Sequence, residues 1–324
     1  MARARRSLAG RVVAITGGAR GLGAATAAAL IDRGARVAIG DLDAPLAQRT
    51  AQALGAETIG LPLDVTDSQS FEAFLQQVET KLGPLDVLIN NAGILPIGPF
   101  ATETEATARR MVEINVHGLI IGSKLALRRF VPRGEGHLVQ IASSAGKFPF
   151  AGGATYCASK YAVVGLSEAI RQEYRGTGVQ VSVVMPVVVK NTDFGAGLPQ
   201  ARGFKHVEPG DVADAIVEAL QTGRFDVYVP KTLGVMARLS ALLPRRATEA
   251  IARALKSDQV LARPDHTLRG AYEARLAETI ALAEQARARA LEAGAGNSEA
   301  DVAAREAAAA ALAAGSGEPE REVA

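Results

Sequence analysis

The sequence has no tryptophan among its 324 residues, and all aromatic residues together make up only 4 % of it. Proteins that bind single-stranded nucleic acids stack the bases on aromatic side chains, and binding to a phosphate backbone needs a strongly basic surface. The formal net charge of this chain is only +2, and no nucleic-acid-binding motif occurs in it. We therefore predict that the chain has no nucleic-acid partner.

Cysteine is nearly absent as well. The single residue of this type, Cys157, excludes an internal disulfide framework and a metal site built from several cysteines, and such sparse use is typical of a reducing compartment. No apolar run reaches the roughly 18 residues of a membrane-spanning helix. The basic residues 1–8 are not followed by the apolar core of a secretory signal. We expect a cytoplasmic protein.

Short segments rich in β-branched residues alternate with longer helical patterns over most of the chain, which is typical of βαβ units and a parallel sheet. The candidate strands are residues 11–16, 36–40, 58–64, 86–91, 136–143, 179–186 and 225–230. The sequence therefore predicts an α/β fold with a doubly wound parallel β-sheet of about seven strands.

The pattern changes after Pro230, where no further strand is predicted and the composition becomes rich in Ala, Arg, Glu and Leu. We expect a helical extension beyond this point. The predicted divisions are a basic tail at 1–8, an α/β domain at 9–230, the helical extension at 231–314 and a disordered tail at 315–324.

A glycine-rich segment, TGGARGLG, runs from Thr16 to Gly23 between the first predicted strand and the first predicted helix. Glycines there let the backbone approach a pyrophosphate, which the helix N-terminus also attracts. Asp41 follows at the end of the next strand, where a carboxylate can bind ribose hydroxyls and repel a 2′-phosphate. This favours NAD as the cofactor. Arg20 within the loop leaves NADP open, because an arginine can bind that phosphate.

Further motifs follow in order, and with them the sequence resembles the short-chain dehydrogenase/reductase family over residues 9–230. The matching residues are Thr16-Gly17-x-x-x-Gly21-x-Gly23, Asp64-Val65, Asn90-Asn91-Ala92-Gly93, Asn115, Ser143 and Tyr156-x-x-x-Lys160. The resemblance implies a Rossmann-type fold, a nicotinamide cofactor and an oxidoreductase acting on an alcohol or its carbonyl, with no metal.

The resemblance also implies which residues bind the cofactor. Asp64 and Val65 would border the adenine, and the Asn91 to Gly93 segment would close the wall behind the dinucleotide. After Pro186 the sequence departs from the family pattern, because a valine replaces the usual glycine and Thr192 comes one residue late. The expected cofactor-binding residues are Gly17, Arg20, Gly21, Leu22, Gly23, Asp41, Asp64, Val65, Asn91, Ala92, Gly93, Tyr156, Lys160, Val189 and Thr192.

Four residues are expected to be catalytic. Tyr156 and Lys160 stand four positions apart in a helical segment, so both project from one face and the ammonium can favour the tyrosinate. By resemblance Tyr156 is the general acid or base, Ser143 stabilises charge on the substrate oxygen, and Asn115 links Lys160 to solvent through water. The neighbouring Ser144 is the competing candidate for the serine role, and only spacing separates the two.

The substrate is expected to be a lipophilic secondary alcohol or ketone. Segment 192–210 is either a lid over the substrate or a loop packed on the domain, and apolar residues lie in it and after the serine pair. These residues are Phe148, Pro149, Phe150, Phe194, Leu198 and Phe204.

Residues 231–246 of the extension combine an apolar helical stripe with arginines. Such a helix either lies on a membrane surface or packs against the core or a partner subunit. The resemblance implies a homodimer or homotetramer. Two alternatives to an NAD-dependent dehydrogenase stay open, an NADPH-dependent carbonyl or ketoacyl reductase and a non-catalytic dinucleotide-binding sensor or scaffold.

Overall fold

A computed structural model of the chain describes residues 5–202 and 205–315. Within them a single sheet of seven parallel strands has the order β3-β2-β1-β4-β5-β6-β7, which confirms the predicted fold class. Most strands are one or two residues shorter than predicted. Their bounds are β1 Val12–Thr16, β2 Arg36–Asp41, β3 Thr58–Pro62, β4 Val87–Asn90, β5 Gly136–Ile141, β6 Val179–Pro186 and β7 Asp226–Val229.

Helices cover both faces of the sheet, so its strands are buried on both sides and have almost continuously apolar sequences. In β1, Val13 and Ile15 pack towards one face, and Val12 and Ala14 pack towards the other. The helices of this part of the chain are α1 Gly21–Ile31, α2 Ala44–Leu54, α3 Ser68–Leu82, α4 Glu105–Val112, α5 Leu119–Arg133, α6 Ala154–Glu173 and α7 Pro209–Thr222.

The strand order reverses between β1 and β4, because β2 and β3 extend the sheet in one direction and β4 to β7 extend it in the other. The loops that follow β1 and β4 therefore diverge at the carboxyl edge of the sheet and leave a crevice between them. In doubly wound folds this crevice is where ligands bind.

A short chain of polar side chains is buried in the middle of the sheet. The Asn90 Nδ2 group in β4 donates to the Gln140 side-chain oxygen in β5 at 2.9 Å, and Gln140 Nε2 donates to the Ser123 hydroxyl of α5 at 2.7 Å. The Ser123 hydroxyl in turn donates to the Leu119 carbonyl at 2.6 Å. These bonds satisfy groups that would otherwise be costly to bury.

Helices α3 and α5 are joined by a partly buried ion-pair network. Arg129 of α5 contacts the carboxylates of Glu72 at 2.6 Å and Glu79 at 2.8 Å, both on α3. The guanidinium geometry suits two carboxylates at once, so this network fixes how the two helices pack on their face of the sheet.

The predicted helical extension is present after β7. It comprises α8 Thr232–Ser240, α9 Arg245–Ala254, α10 His266–Glu292 and α11 Asn297–Gly315. Helices α10 and α11 pack along each other, with an ion pair of 2.8 Å between Arg287 and Asp301. No helix of the described segments is long and apolar enough to cross a bilayer. The predicted disordered tail, apart from Gly315, lies outside the described residues.

Candidate active site

A cleft of about 910 Å³ lies at the carboxyl edge of the sheet. It is lined by every residue predicted to bind cofactor or to be catalytic, with the exception of Asn115. The predicted residues that line it are Gly17, Arg20, Gly21, Leu22, Gly23, Asp41, Asp64, Val65, Asn91, Ala92, Gly93, Ser143, Tyr156, Lys160, Val189 and Thr192.

The glycine loop after β1 is held against the loop after β4. The Thr16 hydroxyl accepts hydrogen bonds from the backbone N–H groups of Asn91 and Ala92, each at 3.0 Å. Gly17 has a φ of +63°, and a Cβ atom on it would lie 2.9 Å from the Ala92 Cα, so only glycine fits. Helix α1 begins at Gly21 without a side-chain cap. Its first N–H groups are therefore available to an anion.

Two carboxylates, Asp41 and Asp43, stand beside this loop. The Asp41 oxygens accept hydrogen bonds from the backbone N–H groups of Ala19 and Asp43, both at 3.1 Å. Burial raises the pKa of Asp41, and the two backbone hydrogen bonds lower it. Arg20 is paired with Asp43 at 2.8 Å, and Asp193 lies 3.9 Å away on its other side. Sequence reasoning missed Asp43, although it caps helix α2 by accepting from the Leu46 N–H.

Asp64 and Val65 border the far end of the cleft. One Asp64 oxygen accepts hydrogen bonds from the backbone N–H and the hydroxyl of Thr66, at 2.8 Å and 2.7 Å. The other oxygen is buried and has no hydrogen-bond partner among the described residues. A buried acceptor of this kind needs a donor, and an adenine amino group would supply one. The glycine loop, the uncapped helix and this acceptor together fit a dinucleotide.

Tyr156 and Lys160 lie one turn apart on α6, with the Lys160 ammonium 5.7 Å from the centre of the Tyr156 ring. Lys160 is buried, donates to the Ile141 carbonyl at 2.9 Å, and has its pKa lowered by burial to about 8. Burial also raises the pKa of Tyr156, while a hydrogen bond with Ser143 lowers it. The net direction for the tyrosine is opposite to the one expected from Lys160 alone, because the helical spacing contains no information about desolvation.

Ser143 rather than Ser144 meets the tyrosine. Ser143 lowers the pKa of Tyr156, and its hydroxyl accepts a hydrogen bond from the Ala145 N–H at 3.1 Å. Both serines line the cleft.

Asn115 lies in a six-residue π-helical segment, Glu113–Gly118, between α4 and α5. The regular α-helix is therefore interrupted at Asn115. Its side-chain oxygen accepts from the Ile94 N–H at 2.8 Å, and its amide nitrogen donates to the Ile94 carbonyl at 3.0 Å and to Ser159 at 3.2 Å. Gly93 separates it from Lys160, since a Cβ there would lie 3.1 Å from the Asn115 oxygen and 3.7 Å from the Lys160 nitrogen.

The segment after β6 passes over the glycine loop. The Thr192 hydroxyl donates to the Val189 carbonyl at 2.7 Å and accepts from the Gly195 N–H at 3.1 Å. Val189 also forms an isolated parallel bridge with Val207. Of the apolar residues expected near the substrate, Phe150, Phe194 and Leu198 line the cleft, whereas Phe204 lies outside the described residues.

Residues of the extension also line the cleft, which sequence reasoning did not foresee. The clearest signal is an i, i+4 series on α10, which indicates one buried face but not the surface that buries it. The lining residues from the extension are Val260, Leu261, Leu268, Tyr272, Arg275, Leu276, Thr279, Ile280 and Leu312.

Comparison with known proteins agrees with this geometry. A model of the short chain dehydrogenase family matches residues 11–203. The ketoacyl reductase HetN of Nostoc sp. is 36 % identical over 230 residues, which cover 69 % of this chain and 79 % of that protein. The 2,5-dichloro-2,5-cyclohexadiene-1,4-diol dehydrogenase LinX of Sphingobium indicum is 38 % identical over 195 residues, covering 59 % of this chain and 78 % of LinX.

Solved structures show the same similarity. A short-chain dehydrogenase/reductase from Burkholderia phymatum, in complex with NAD, superposes with a TM-score of 0.65 at 25 % identity, covering 72 % of this chain and 94 % of that one. A 3-ketoacyl-(acyl-carrier-protein) reductase from Brucella melitensis, complexed with NADH, gives a TM-score of 0.63 at 26 % identity, covering 68 % of this chain and 96 % of that one.

Proposed function

Since this chain belongs to the short-chain dehydrogenase/reductase family and is therefore a hydride-transferring oxidoreductase acting on hydroxyl groups, we propose that it interconverts a lipophilic secondary alcohol and its ketone with NAD. The observation that carries this proposal is that the Tyr156 phenol lies close to Lys160 and lines the same cleft as Ser143 and a glycine loop suited to a pyrophosphate. The proposed catalytic domain is residues 9–230.

The proposal assigns proton transfer to Tyr156. In the reductive direction its phenol gives a proton to the carbonyl oxygen, while the Ser143 hydroxyl donates a hydrogen bond to the same oxygen. Burial, which raises the pKa of Tyr156, keeps this proton on the phenol until it is needed. Bound NAD would exchange the hydride and, when oxidised, bring a positive charge that favours the tyrosinate in the opposite direction.

Lys160 and Asn115 support this chemistry in the proposal. Lys160 uses one donor on the Ile141 carbonyl and keeps others for ribose hydroxyls. Asn115 positions Ile94 at the cleft wall through two backbone hydrogen bonds. Its link to Lys160 through water stays a prediction.

Exchange of Tyr156 tests the role of the phenol. Tyr156→Phe is expected to lower kcat by about 10²–10⁴-fold and to leave cofactor binding intact, because only the acid/base group is lost. Tyr161→Phe, on the same helix but 45 % exposed, is the matched control and should keep wild-type activity. A screen of secondary alcohols and ketones, followed by nicotinamide absorbance, supplies the substrate. A Tyr156→Phe enzyme with the wild-type rate would favour the sensor or scaffold alternative.

The preference for NAD is proposed from the charges around the ribose end of the cleft. Arg20 is neutralised by Asp43, so it is not free to bind a 2′-phosphate, and the Asp41 carboxylate would repel one. We expect kcat/KM to favour NAD over NADP by at least about tenfold, equivalent to about 1.4 kcal/mol. Asp41→Ser should lower the ratio of kcat/KM for NAD to kcat/KM for NADP. The control Asp32→Ser, at the exposed end of α1, should leave this ratio unchanged. A wild-type preference for NADP would support the reductase alternative, which the name of the HetN relative favours.

Two further features belong to the proposal. Helix α8 and the turn after it expose Val235, Leu239 and Leu242 by 56 %, 58 % and 81 %, beside arginines that would attract an anionic bilayer. We propose peripheral membrane contact of a cytoplasmic protein, to be tested by flotation with anionic and with zwitterionic liposomes.

A homodimer or homotetramer is proposed by family membership, and light scattering after size-exclusion chromatography tests it.

A further inference from the structure

One side of the cleft is lined by residues of segment 260–280 of the extension, which we call the wall. Val260, Leu261, Tyr272 and Ile280 are each less than 10 % exposed, and all of them line the cleft. On α10 the lining residues recur at every fourth position from Leu268 to Ile280, so one face of the first half of this helix is turned to the cleft, with Leu268 at its outer end 68 % exposed. Tyr156 beneath it is only 6 % exposed.

The wall closes tightly on the start of α6, the helix that holds Tyr156. A Cβ atom on Gly153 would lie 2.6 Å from Leu261 Cδ1, and one on Gly152 would lie 2.6 Å from the Leu261 carbonyl oxygen. Real side chains do not approach so closely. At Gly152, where φ is +81° and the contact is with backbone atoms, glycine therefore allows the extension to reach the chain in front of α6.

Arg269 joins α10 to both loops that border the substrate region. It has no exposed surface. Its guanidinium donates to the Leu95 carbonyl at 2.6 Å, to the Phe194 carbonyl at 2.9 Å and to the Ala196 carbonyl at 3.3 Å. Its Nε atom lies 3.1 Å from a Glu273 oxygen, an ion-pair contact that lacks hydrogen-bond alignment. A buried charge is tolerated only with such partners, so these bonds stabilise α10 in its observed position.

Two more contacts hold the same loops to α10. The Tyr272 hydroxyl accepts a hydrogen bond from the Leu95 N–H at 2.8 Å, and the Tyr272 ring packs on Phe194 with 5.9 Å between centres. Arg275 forms an ion pair with Asp193. The extension is thus bonded to the chain after β4 and to the chain after β6, which are the two sides of the substrate opening.

We propose that residues 260–280 form the outer wall of the substrate site, that Arg269 is the positioning residue that holds this wall, and that the wall restricts the site to free, compact apolar alcohols and ketones. An acyl group tethered to a carrier protein needs an open path to the surface beside the tyrosine, and the wall occupies that path. The substrate class rests on the proposed function, whereas the position of the wall does not.

Hydrogen exchange tests Arg269 without reference to activity. Arg269→Met keeps the aliphatic stem and removes the donors, and Arg289→Met is the control on an exposed position of the same helix. We expect amide exchange in residues 93–97 and 193–198 to accelerate by about tenfold in Arg269→Met, since the loss of hydrogen bonds lowers the local opening free energy. Exchange in β4, β5 and β6 should be unchanged, and Arg269→Lys should restore part of the protection. Unchanged exchange in both loops, or equal acceleration throughout the sheet, would overturn the role of Arg269.

A matched pair of substrates tests the restriction. The β-hydroxybutyryl group is supplied as its free methyl ester and as a thioester on acyl carrier protein, and formation of NADH is measured for each. We expect wild-type kcat/KM to favour the free ester by at least about 100-fold, a difference of about 2.7 kcal/mol. In Arg269→Met that preference should fall because kcat/KM for the carrier thioester rises when the wall loosens, with the KM for NAD unchanged.

The outcomes separate the two proposals. Equal use of ester and carrier thioester by the wild type would refute the restriction and leave the dehydrogenase function in place. Loosening of both loops in Arg269→Met, with neither β-hydroxybutyryl compound nor any screened alcohol oxidised by the wild type, would refute the proposed function and the substrate class while the wall stands.

Discussion

Lys160 is expected to make the protein less stable than it would be without an ammonium at this site. Burial lowers the pKa of Lys160 from 10.5 to about 8. One pKa unit corresponds to about 1.4 kcal/mol, so holding the charged form in the native state costs about 3 kcal/mol at pH 7. Lys160→Met removes this cost but leaves the Ile141 carbonyl without its donor, a loss of about 1–2 kcal/mol. The variant should therefore be more stable at pH 7 by about 1–2 kcal/mol.

The sign of the pH dependence follows from proton binding. Between the native pKa of about 8 and the ordinary value of 10.5, the unfolded chain binds more protons than the native chain, so wild-type stability rises with pH. At pH 9.5 the cost of the ammonium is reduced to about 1 kcal/mol. The stability advantage of Lys160→Met should therefore shrink by about 2 kcal/mol between pH 7 and pH 9.5.

Urea unfolding at both pH values measures this difference. The chain lacks tryptophan, so far-ultraviolet circular dichroism is the suitable signal, with linear extrapolation to water. Protein concentration is kept constant and no cofactor is added, because binding partners shift apparent stability. Lys124→Met, at an exposed position of α5, is the control and should show no such change with pH. A gap between Lys160→Met and wild type that stays constant or widens as pH rises would refute the reasoning.

Two other predictions concern the cofactor loop and the helical layer. Gly17→Ala should raise the KM for NAD by at least about tenfold, because a left-handed φ costs a non-glycine residue about 1–2 kcal/mol and the new Cβ meets Ala92. Gly165→Ala, with open space around its Cβ, should leave that KM unchanged. Arg129→Met should lower the free energy of unfolding by about 1–3 kcal/mol, because two partly buried carboxylates lose their partner, while kcat stays at the wild-type value. An unaltered urea midpoint for this variant would contradict the second prediction.

The sheet could be predicted because each buried parallel strand leaves a continuous apolar run in the sequence. The run at 179–186 matches its strand to the residue. The run at 58–64 overshoots, since pairing with β2 ends where Asp41 meets Pro62. The position of the glycine loop could also be predicted. In a parallel sheet, a loop that leads from the first strand into the first helix lies at the carboxyl edge, where the crevice forms.

The wall formed by the extension could not be predicted in the same way. The apolar series on α10 indicates that one face is buried, but packing partners distant in sequence leave no mark in a single chain. In the loops that it holds, Arg269 contacts only backbone carbonyls. Every residue has a backbone carbonyl, so the sequence of these loops does not reveal the contact. The direction of the pKa of Tyr156 was missed for a related reason, because desolvation depends on everything that surrounds the phenol.

The buried amides of Asn90 and Gln140 have a consequence for the reaction site. If β5 slid along β4 by one residue, these side chains would lose each other and the Ser123 hydroxyl, and each stranded polar group would cost about 1–3 kcal/mol. One alignment of the two strands is therefore strongly preferred. Asn91 begins the loop directly after β4, and Ser143 follows two residues after the end of β5. The hydrogen bond between these two buried amides thus fixes the position of the loop after β4 relative to Ser143, although neither amide lies in the cleft.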